Sequence, residues 1–153
     1  MKRLIVVLAA TLAVVPFAAP VSAAPPGPET IVLDFPDAFD DTQAFFATGA
    51  FTDTGSWQYV SRTSTEIPCS ADAPPETFCA RHAWTIELDG ANGTISIELR
   101  FTSMTTLFLC VRRGVWRISG GTGAYSDLHG VGRVTGCLDR FDTGAFELTG
   151  FVV

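Results

Sequence analysis

The chain has 153 residues, with 10 basic side chains against 16 acidic ones and a formal net charge of −6. That balance argues against sequence-independent nucleic-acid binding, which needs a net positive face. No nucleic-acid partner is expected.

The first residues bear on compartment. Lys2 and Arg3 form a short basic start, and Leu4 to Val15 is apolar apart from Thr11. Pro16 breaks the run, and Val21-Ser22-Ala23 offers the small residues that signal peptidase takes. Residues 1–23 therefore read as a secretory signal peptide, cut after Ala23 or, alternatively, Ala24. The run is too short to span a bilayer and no second apolar segment follows, so no transmembrane segment is expected. Residues 24–153 are one domain's worth of chain. Without Lys2 and Arg3 the count falls to 8 basic against 16 acidic, a net charge near −8, and every remaining base is Arg. The expected location is extracellular or the cell-envelope space.

The four cysteines are Cys69, Cys79, Cys110 and Cys137. An even number in an exported chain predicts two disulfides. There is no Cys-x-x-Cys, so a zinc ribbon or thioredoxin-like site has no support, and no metal or cofactor is expected.

Residues 24–29 are a Pro-rich lead-in, expected to be extended and mobile. Ile31, Leu33 and Phe35 alternate as a first strand. Asp34, Asp37, Asp40 and Asp41 follow. Their spacing matches no calcium loop, and a solvated acidic connector is the plainer reading. Phe45 to Phe51 and Trp57 to Arg62 read as two strands joined at Asp53-Thr54-Gly55. Arg62 to Arg81 reads as a long loop carrying Pro68, Pro74 and Pro75, and Cys69 and Cys79 are close enough to staple it.

The next pattern is the cleanest. His82, Trp84, Ile86 and Leu88 alternate with polar or small residues, and so do Ile95, Ile97, Leu99 and Phe101. Period two in both segments means two half-buried strands, turning at Asp89 to Gly93 with Leu88 opposite Ile95. Asn92-Gly93-Thr94 is also a glycosylation sequon, relevant only in a eukaryotic secretory route. These apolar rows, with Trp116, are expected to face inward.

Thr105 to Ile118 reads as a longer strand, with a slip in alternation at Arg113-Gly114 that suggests a bulge. His129 to Leu138 returns. A corner centred between Gly123 and Ala124 would pair Trp116 with Val131 and Cys110 with Cys137. The expected bonds are thus Cys69–Cys79 and Cys110–Cys137. Gly144 to Val152 is the last strand. Thr-Gly-Ala recurs at 48–50, 122–124 and 143–145 with unequal spacing, so it marks shared corner chemistry as readily as duplication. Eight short strands and no amphipathic helix predict an all-β chain, an antiparallel barrel or a sandwich.

Trp116-x-Ile118, Gly120-Gly121-Thr122-Gly123-Ala124-Tyr125 and Leu128-x-Gly130-x-Gly132 resemble the allene oxide cyclase-like and dirigent-like group. The chain looks closest to small secreted bacterial members of that group. The resemblance covers about 25 residues and implies an eight-stranded, calycin-like antiparallel barrel. It carries over no catalytic residue. Independently of it, Gly121 and Gly123 suit positive φ, Tyr125 and Leu128 suit a plug at the barrel end, and Gly130, Gly132 and Gly136 leave room for Trp116 to lie across the return strand.

No Gly-x-Ser-x-Gly, His-Glu-x-x-His or phosphate loop is present. Gly121-Thr122-Gly123 resembles the start of a dinucleotide fingerprint, but Ser126 replaces its third glycine and no βαβ unit surrounds it. His82 and His129 are the only histidines; a structural role is the plainer one, with Glu87, Glu98 or Asp127 as the acids that would make a catalytic pair. Arg112, Arg113, Arg117 and Arg133 gather half of the mature bases on one hairpin, which reads as a solvated outer face before it reads as an anion site. The aromatic strands offer a candidate ligand-binding interior of Trp84, Ile86, Leu99, Phe101, Trp116 and Tyr125. The leading expectation is an exported barrel that binds a hydrophobic small molecule, with no reaction legible. The alternatives are an isomerase or cyclase of the allene oxide cyclase-like type, whose chemistry needs little beyond a moulded pocket, and a secreted or envelope-associated interaction protein.

Overall fold

The computed structural model describes residues 25–35, 43–106, 110–138 and 144–153. The signal peptide and Asp37, Asp40 and Asp41 lie outside them. Eight strands form one closed antiparallel barrel in chain order: β1 Gly27–Phe35, β2 Gln43–Gly49, β3 Asp53–Glu66, β4 Phe78–Gly90, β5 Gly93–Thr105, β6 Cys110–Gly121, β7 Gly130–Leu138 and β8 Gly144–Val152. Strand β1 closes it by pairing on both sides: Leu33 faces Phe45 of β2 and Phe146 of β8. Closure leaves no sheet edge to aggregate.

Period two drives the architecture. On β4 and β5 the buried residues are Cys79, Ala80, His82, Trp84, Ile86 and Leu88, and Ile95, Ile97, Leu99, Phe101 and Ser103. Leu88 faces Ile95, as the alternation requires. A slip of one residue would turn Glu87, Asp89, Glu98 and Arg100 into the core. The eight apolar side chains expected to face inward, Trp84, Ile86, Leu88, Ile95, Ile97, Leu99, Phe101 and Trp116, are all buried.

Several boundaries differ from the sequence reading. The lead-in is not loose: the strand begins at Gly27, and Glu29 is buried between Gly49 and Gly150. Asp53-Thr54-Gly55 is not the turn; it already belongs to β3, with Gly55 opposite Phe45. The turn is Ala50 to Thr52, where the Ala50 amide donates to the Pro28 carbonyl at 2.9 Å. Both ends of the expected loop from Arg62 to Arg81 are strand. Thr63, Ser64 and Thr65 pair with Ala83, His82 and Arg81, so the loop shrinks to Ile67–Thr77. β-Branched and hydroxyl side chains suit an exposed strand as well as a loop, and polarity alone concealed it.

Two bulges, one on β3 and one on β6, set which residues face inward. Between Tyr59, opposite Ile86, and Ser61, opposite Thr85, Val60 is the extra residue. The inward row on β3 thus switches from Trp57 and Tyr59 to Arg62 and Ser64. On β6 the slip is not at Arg113-Gly114. It lies between the Ser96–Gly120 and Ile97–Ile118 pairs, making Ser119 the extra residue.

The hairpin of β6 and β7 is offset by one from the expected register. Trp116 faces Gly132, not Val131, and Arg112 faces Gly136. The Cys69–Cys79 bond is present, whereas Cys110 and Cys137 are both thiols. With the offset, Cys110 takes the inward parity of Arg112 and Trp116, and Cys137 the outward parity of Val131 and Arg133. The two sulfurs nevertheless touch. Burial of the sulfur, then its hydrogen bond with the Cys110 thiol, pushes the Cys137 thiol up to about 11.

The Thr-Gly-Ala echo has a backbone cause. Gly49, Gly123 and Gly144 take φ of +133°, +61° and +148°, where a side chain is penalised. Gly121 does not take positive φ. It is there for space, since a Cβ would lie 2.3 Å from the Tyr125 carbonyl oxygen.

Candidate functional site: the open mouth of the barrel

One end of the barrel is sealed. The corner between β6 and β7 folds into a single 3-10 turn, Gly123–Tyr125. Tyr125 is buried, its ring lies 5.3 Å from that of Phe51, and Leu128 packs beside it. The Tyr125 hydroxyl donates to Asp53 Oδ2 at 2.6 Å. The same carboxylate accepts from the amides of Thr54, Ala91 and Asn92 at 2.8, 3.2 and 3.4 Å. Burial alone would raise the pKa of Asp53; these four donors outweigh it and hold the pKa below the usual value. Tyr125 and Leu128 are thus the plug the sequence suggested.

Above the plug the interior is filled. Ile31, Leu33, Ile86, Leu88, Ile97, Leu99 and Leu148 are at most 1 % exposed. Trp116 lies across bare backbone. A Cβ on Gly132 would sit 2.6 Å from its Nε1, and one on Gly150 2.8 Å from its Cζ2. Its indole N–H donates to the Thr149 carbonyl at 3.2 Å. The volume left by glycines on β7 is therefore occupied by Trp116. Gly136 serves a different ring, because a Cβ there would lie 2.5 Å from Phe146 Cδ1.

The opposite end is different. Among the described residues, the inward-facing Arg62, Ser64 and Glu66 of β3 are exposed there, while Ala80, His82 and Ser103 on the neighbouring strands are buried. Below them lies a layer of rings. Trp84 and Phe101 meet edge to face at 4.6 Å, Trp84 and Phe146 stack at 5.7 Å, and Tyr59 meets Trp84 edge-on at 5.2 Å. The His82 ring stacks on Phe101 at 4.6 Å. Its Nδ1 lies 2.7 Å from Ser64 Oγ and its Nε2 2.8 Å from Ser103 Oγ. Both ring nitrogens are satisfied by hydroxyls, and none of Glu87, Glu98 or Asp127 is a partner. Burial, then the nearby Arg112 charge, lowers the pKa of His82 and keeps it neutral at pH 7.

Arg112 is the surprise of the mouth. On β6 it shares the inward parity of Trp116 and Ile118. It is flanked by Ser103 on β5 and Gly136 on β7. Its guanidinium carbon lies 5.4 Å from the centroid of Phe146 and 5.9 Å from that of Trp84. Arg62, turned inward by the Val60 bulge, lies 4.9 Å over Tyr59. A cation–aromatic contact contributes about 0.5–1 kcal/mol where it is exposed, as at Arg62, and up to about 2 kcal/mol where it is desolvated. Two buried donors here have no partner: Arg112 Nε and Trp84 Nε1. Leaving a buried donor unsatisfied costs about 1–3 kcal/mol.

Of the six interior residues named from the sequence, only Trp84 and Phe101 reach the mouth. Ile86, Leu99 and Trp116 lie in the filled core, and Tyr125 closes the far end. Arg112 was grouped with Arg113, Arg117 and Arg133 as an outer face. Arg113, Arg117 and Arg133 are exposed there, Arg117 paired with Glu98 at 2.8 Å. Parity with Trp116 was the signal that separated Arg112 from them. Nothing in the sequence announced the Val60 bulge, and so Arg62 was not legible.

Two depressions lie elsewhere. One of about 580 Å³ sits on the outer wall among Glu98, Arg100, Val115, Arg117, Val131 and Arg133. A smaller one, about 260 Å³, lies beside the Cys69–Cys79 loop. Among the described residues no cluster of His, Cys, Asp and Glu could hold a metal ion, and no helix is long and apolar enough to cross a membrane.

No protein-family model, curated protein or solved structure matches the chain.

Proposed function

We propose that the chain is an exported barrel that binds a hydrophobic or amphipathic small molecule at its open mouth. The observation that carries this reading is the contrast between the two ends. One end is sealed by Tyr125, Leu128 and Asp53 over a filled core. The other holds the Tyr59, Trp84, Phe101 and Phe146 rings beneath the exposed, inward-facing Arg62, Ser64 and Glu66 of β3. Aromatic surface with a few placed polar groups is the ordinary make-up of a small-molecule site. The staple between Cys69 and Cys79 agrees with an oxidising compartment.

The test is fluorescence titration with the neutral probe N-phenyl-1-naphthylamine. Saturable binding that falls at least tenfold in Ser64→Trp, where the new indole fills the mouth, supports the reading. No saturable binding, or binding indifferent to Ser64→Trp, overturns it. A second reading rests on exposed Val115, Val131 and Phe151 on the outer wall, where Val131 faces Phe151 across β7 and β8. That is the interaction-protein alternative. Probe binding abolished by Val131→Asp and untouched by Ser64→Trp would favour it.

A further inference from the structure

We infer that the mouth ligand carries an oxyanion head, and that Arg112 and Trp84 hold it. This rests on the mouth as the binding site and goes on to name the class of molecule: an apolar body ending in a carboxylate, or a sulfonate of the same oxyanion chemistry.

The inference begins from the two unsatisfied donors. Trp84 is 7 % exposed, and its Nε1 is buried without an acceptor. Arg112 Nε is buried without an acceptor as well, and its guanidinium lies over the Trp84 ring. The other two indoles contrast with this. Trp57 Nε1 donates to the Asp34 carbonyl and Trp116 Nε1 to the Thr149 carbonyl, both at 3.2 Å. Buried polar groups are nearly always paired, and those that are not call for a specific explanation. Two orphaned donors on side chains in contact, one of them cationic, are explained together by one acceptor that arrives with the ligand.

Charge supports an anion over a neutral acceptor. The ion pair seen among the described residues, Arg117 with Glu98, is on the outer wall. Arg112 and Arg62 both face inward at the mouth and lie on aromatic rings. The inward carboxylate on the same β3 row is Glu66, whose β4 neighbour is Ala80, beyond His82 and Trp84. Two arginines face inward at one end of a chain with net charge −6. Guanidinium forks suit planar oxyanions. His82 does not compete for the ligand, because both of its nitrogens are engaged by serines. The rings of Phe101 and Phe146, 5.4 Å apart, take the apolar body.

The test compares dodecanoate with dodecanol, and dodecanesulfonate as a third probe, by displacement of N-phenyl-1-naphthylamine. Dodecanoate should bind wild type at least tenfold tighter than dodecanol. Arg112→Gln should erase that preference while the neutral probe still binds. Trp84→Phe, which keeps an aromatic ring but removes the N–H donor, should reduce it several-fold. Circular dichroism of both variants guards against misfolding, and Trp84→Phe keeps the test open if Arg112→Gln does not fold. Sulfonate bound with carboxylate assigns a general oxyanion site; carboxylate alone assigns the narrower one. Equal binding of acid and alcohol overturns the head-group assignment and leaves the apolar mouth standing. A preference that survives Arg112→Gln overturns it too. Failure of the neutral probe itself sinks the mouth, and this inference with it.

Discussion

The hydroxyl of Tyr125 donates to Asp53 Oδ2 over 2.6 Å, joining residues 72 apart in the chain. The bond ties the corner before β7 to the first residue of β3. It shuts one end of the barrel, and so it decides which end a ligand can approach. Tyr125→Phe keeps the ring against Phe51 and removes the hydroxyl, with this charge-assisted bond and its hydrogen bond with the Asn92 side chain. We expect a loss of about 1.5–3 kcal/mol in chemical denaturation. An unchanged midpoint would mean that the plug is held by apolar packing alone.

Glycine positions separate crowding from composition. A Cβ on Gly132 would meet the Thr149 carbonyl oxygen at 2.1 Å and Trp116 Nε1 at 2.6 Å, while one on Gly120 meets nothing within 4 Å. Gly132→Ala should cost about 1–3 kcal/mol or more, because backbone and a packed indole must both move. Gly120→Ala should stay within about 0.5 kcal/mol of wild type. Equal thermal shifts in the two variants would show that Trp116 does not lie across β7.

The pH dependence of stability has a definite sign at His82. Its folded pKa is below the usual 6.5, through burial and then the Arg112 charge. Between the folded value and 6.5 the unfolded chain binds more protons, so stability rises with pH there. The His82 contribution is complete above about pH 6.5 and is lost as pH falls through the folded value. Glu29 acts oppositely: burial raises its pKa above 4.5, against the lowering effect of backbone bonds such as Phe51 N–H to Oε2 at 3.0 Å. Its contribution is present below 4.5 and is lost as pH rises through its folded value. The difference between wild type and His82→Gln isolates the histidine. Stability measured from pH 7.5 to 5 should fall more steeply in wild type. Parallel curves would mean that His82 is not held neutral.

Cysteine chemistry is equally specific. Non-reducing peptide mapping should find Cys69 linked to Cys79, and Cys110 and Cys137 alkylated. Closing the short loop between Cys69 and Cys79 should stabilise by about 3 kcal/mol. With its thiol pushed up to about 11, Cys137 should react slowly with iodoacetamide at pH 8 and faster as the solution is made more alkaline. A recovered Cys110–Cys137 peptide would instead favour the register without the one-residue offset.

The barrel was legible because its apolar residues alternate over long runs. From Trp84 to Leu88 and from Ile95 to Phe101 no other period fits, and Asp89 to Gly93 can only turn. Gly123 was legible because little besides glycine tolerates φ of +61° beside the Asn92 carbonyl. The site was less legible for a physical reason. Bulges change parity without changing composition, so Val60 redirected Arg62 and Ser119 set the phase of β6 against β5. The polar stretch from Thr63 to Glu66 looked like loop because its strand is exposed on the face where others are buried. Asp53 looked like a turn residue because aspartate is common in turns; here it organises the turns around it instead.

The most direct measurement uses the three indole N–H signals in a nitrogen–proton correlation spectrum during titration with dodecanoate. Trp57 and Trp116 already donate to carbonyls, whereas the buried Trp84 Nε1 has no acceptor among the protein groups around it. We expect the Trp84 indole signal to move downfield as it gains the head group, with the Trp116 signal fixed beneath the filled core. Movement at Trp116 with Trp84 unchanged, or no indole shift at saturating ligand, would contradict a site at the mouth.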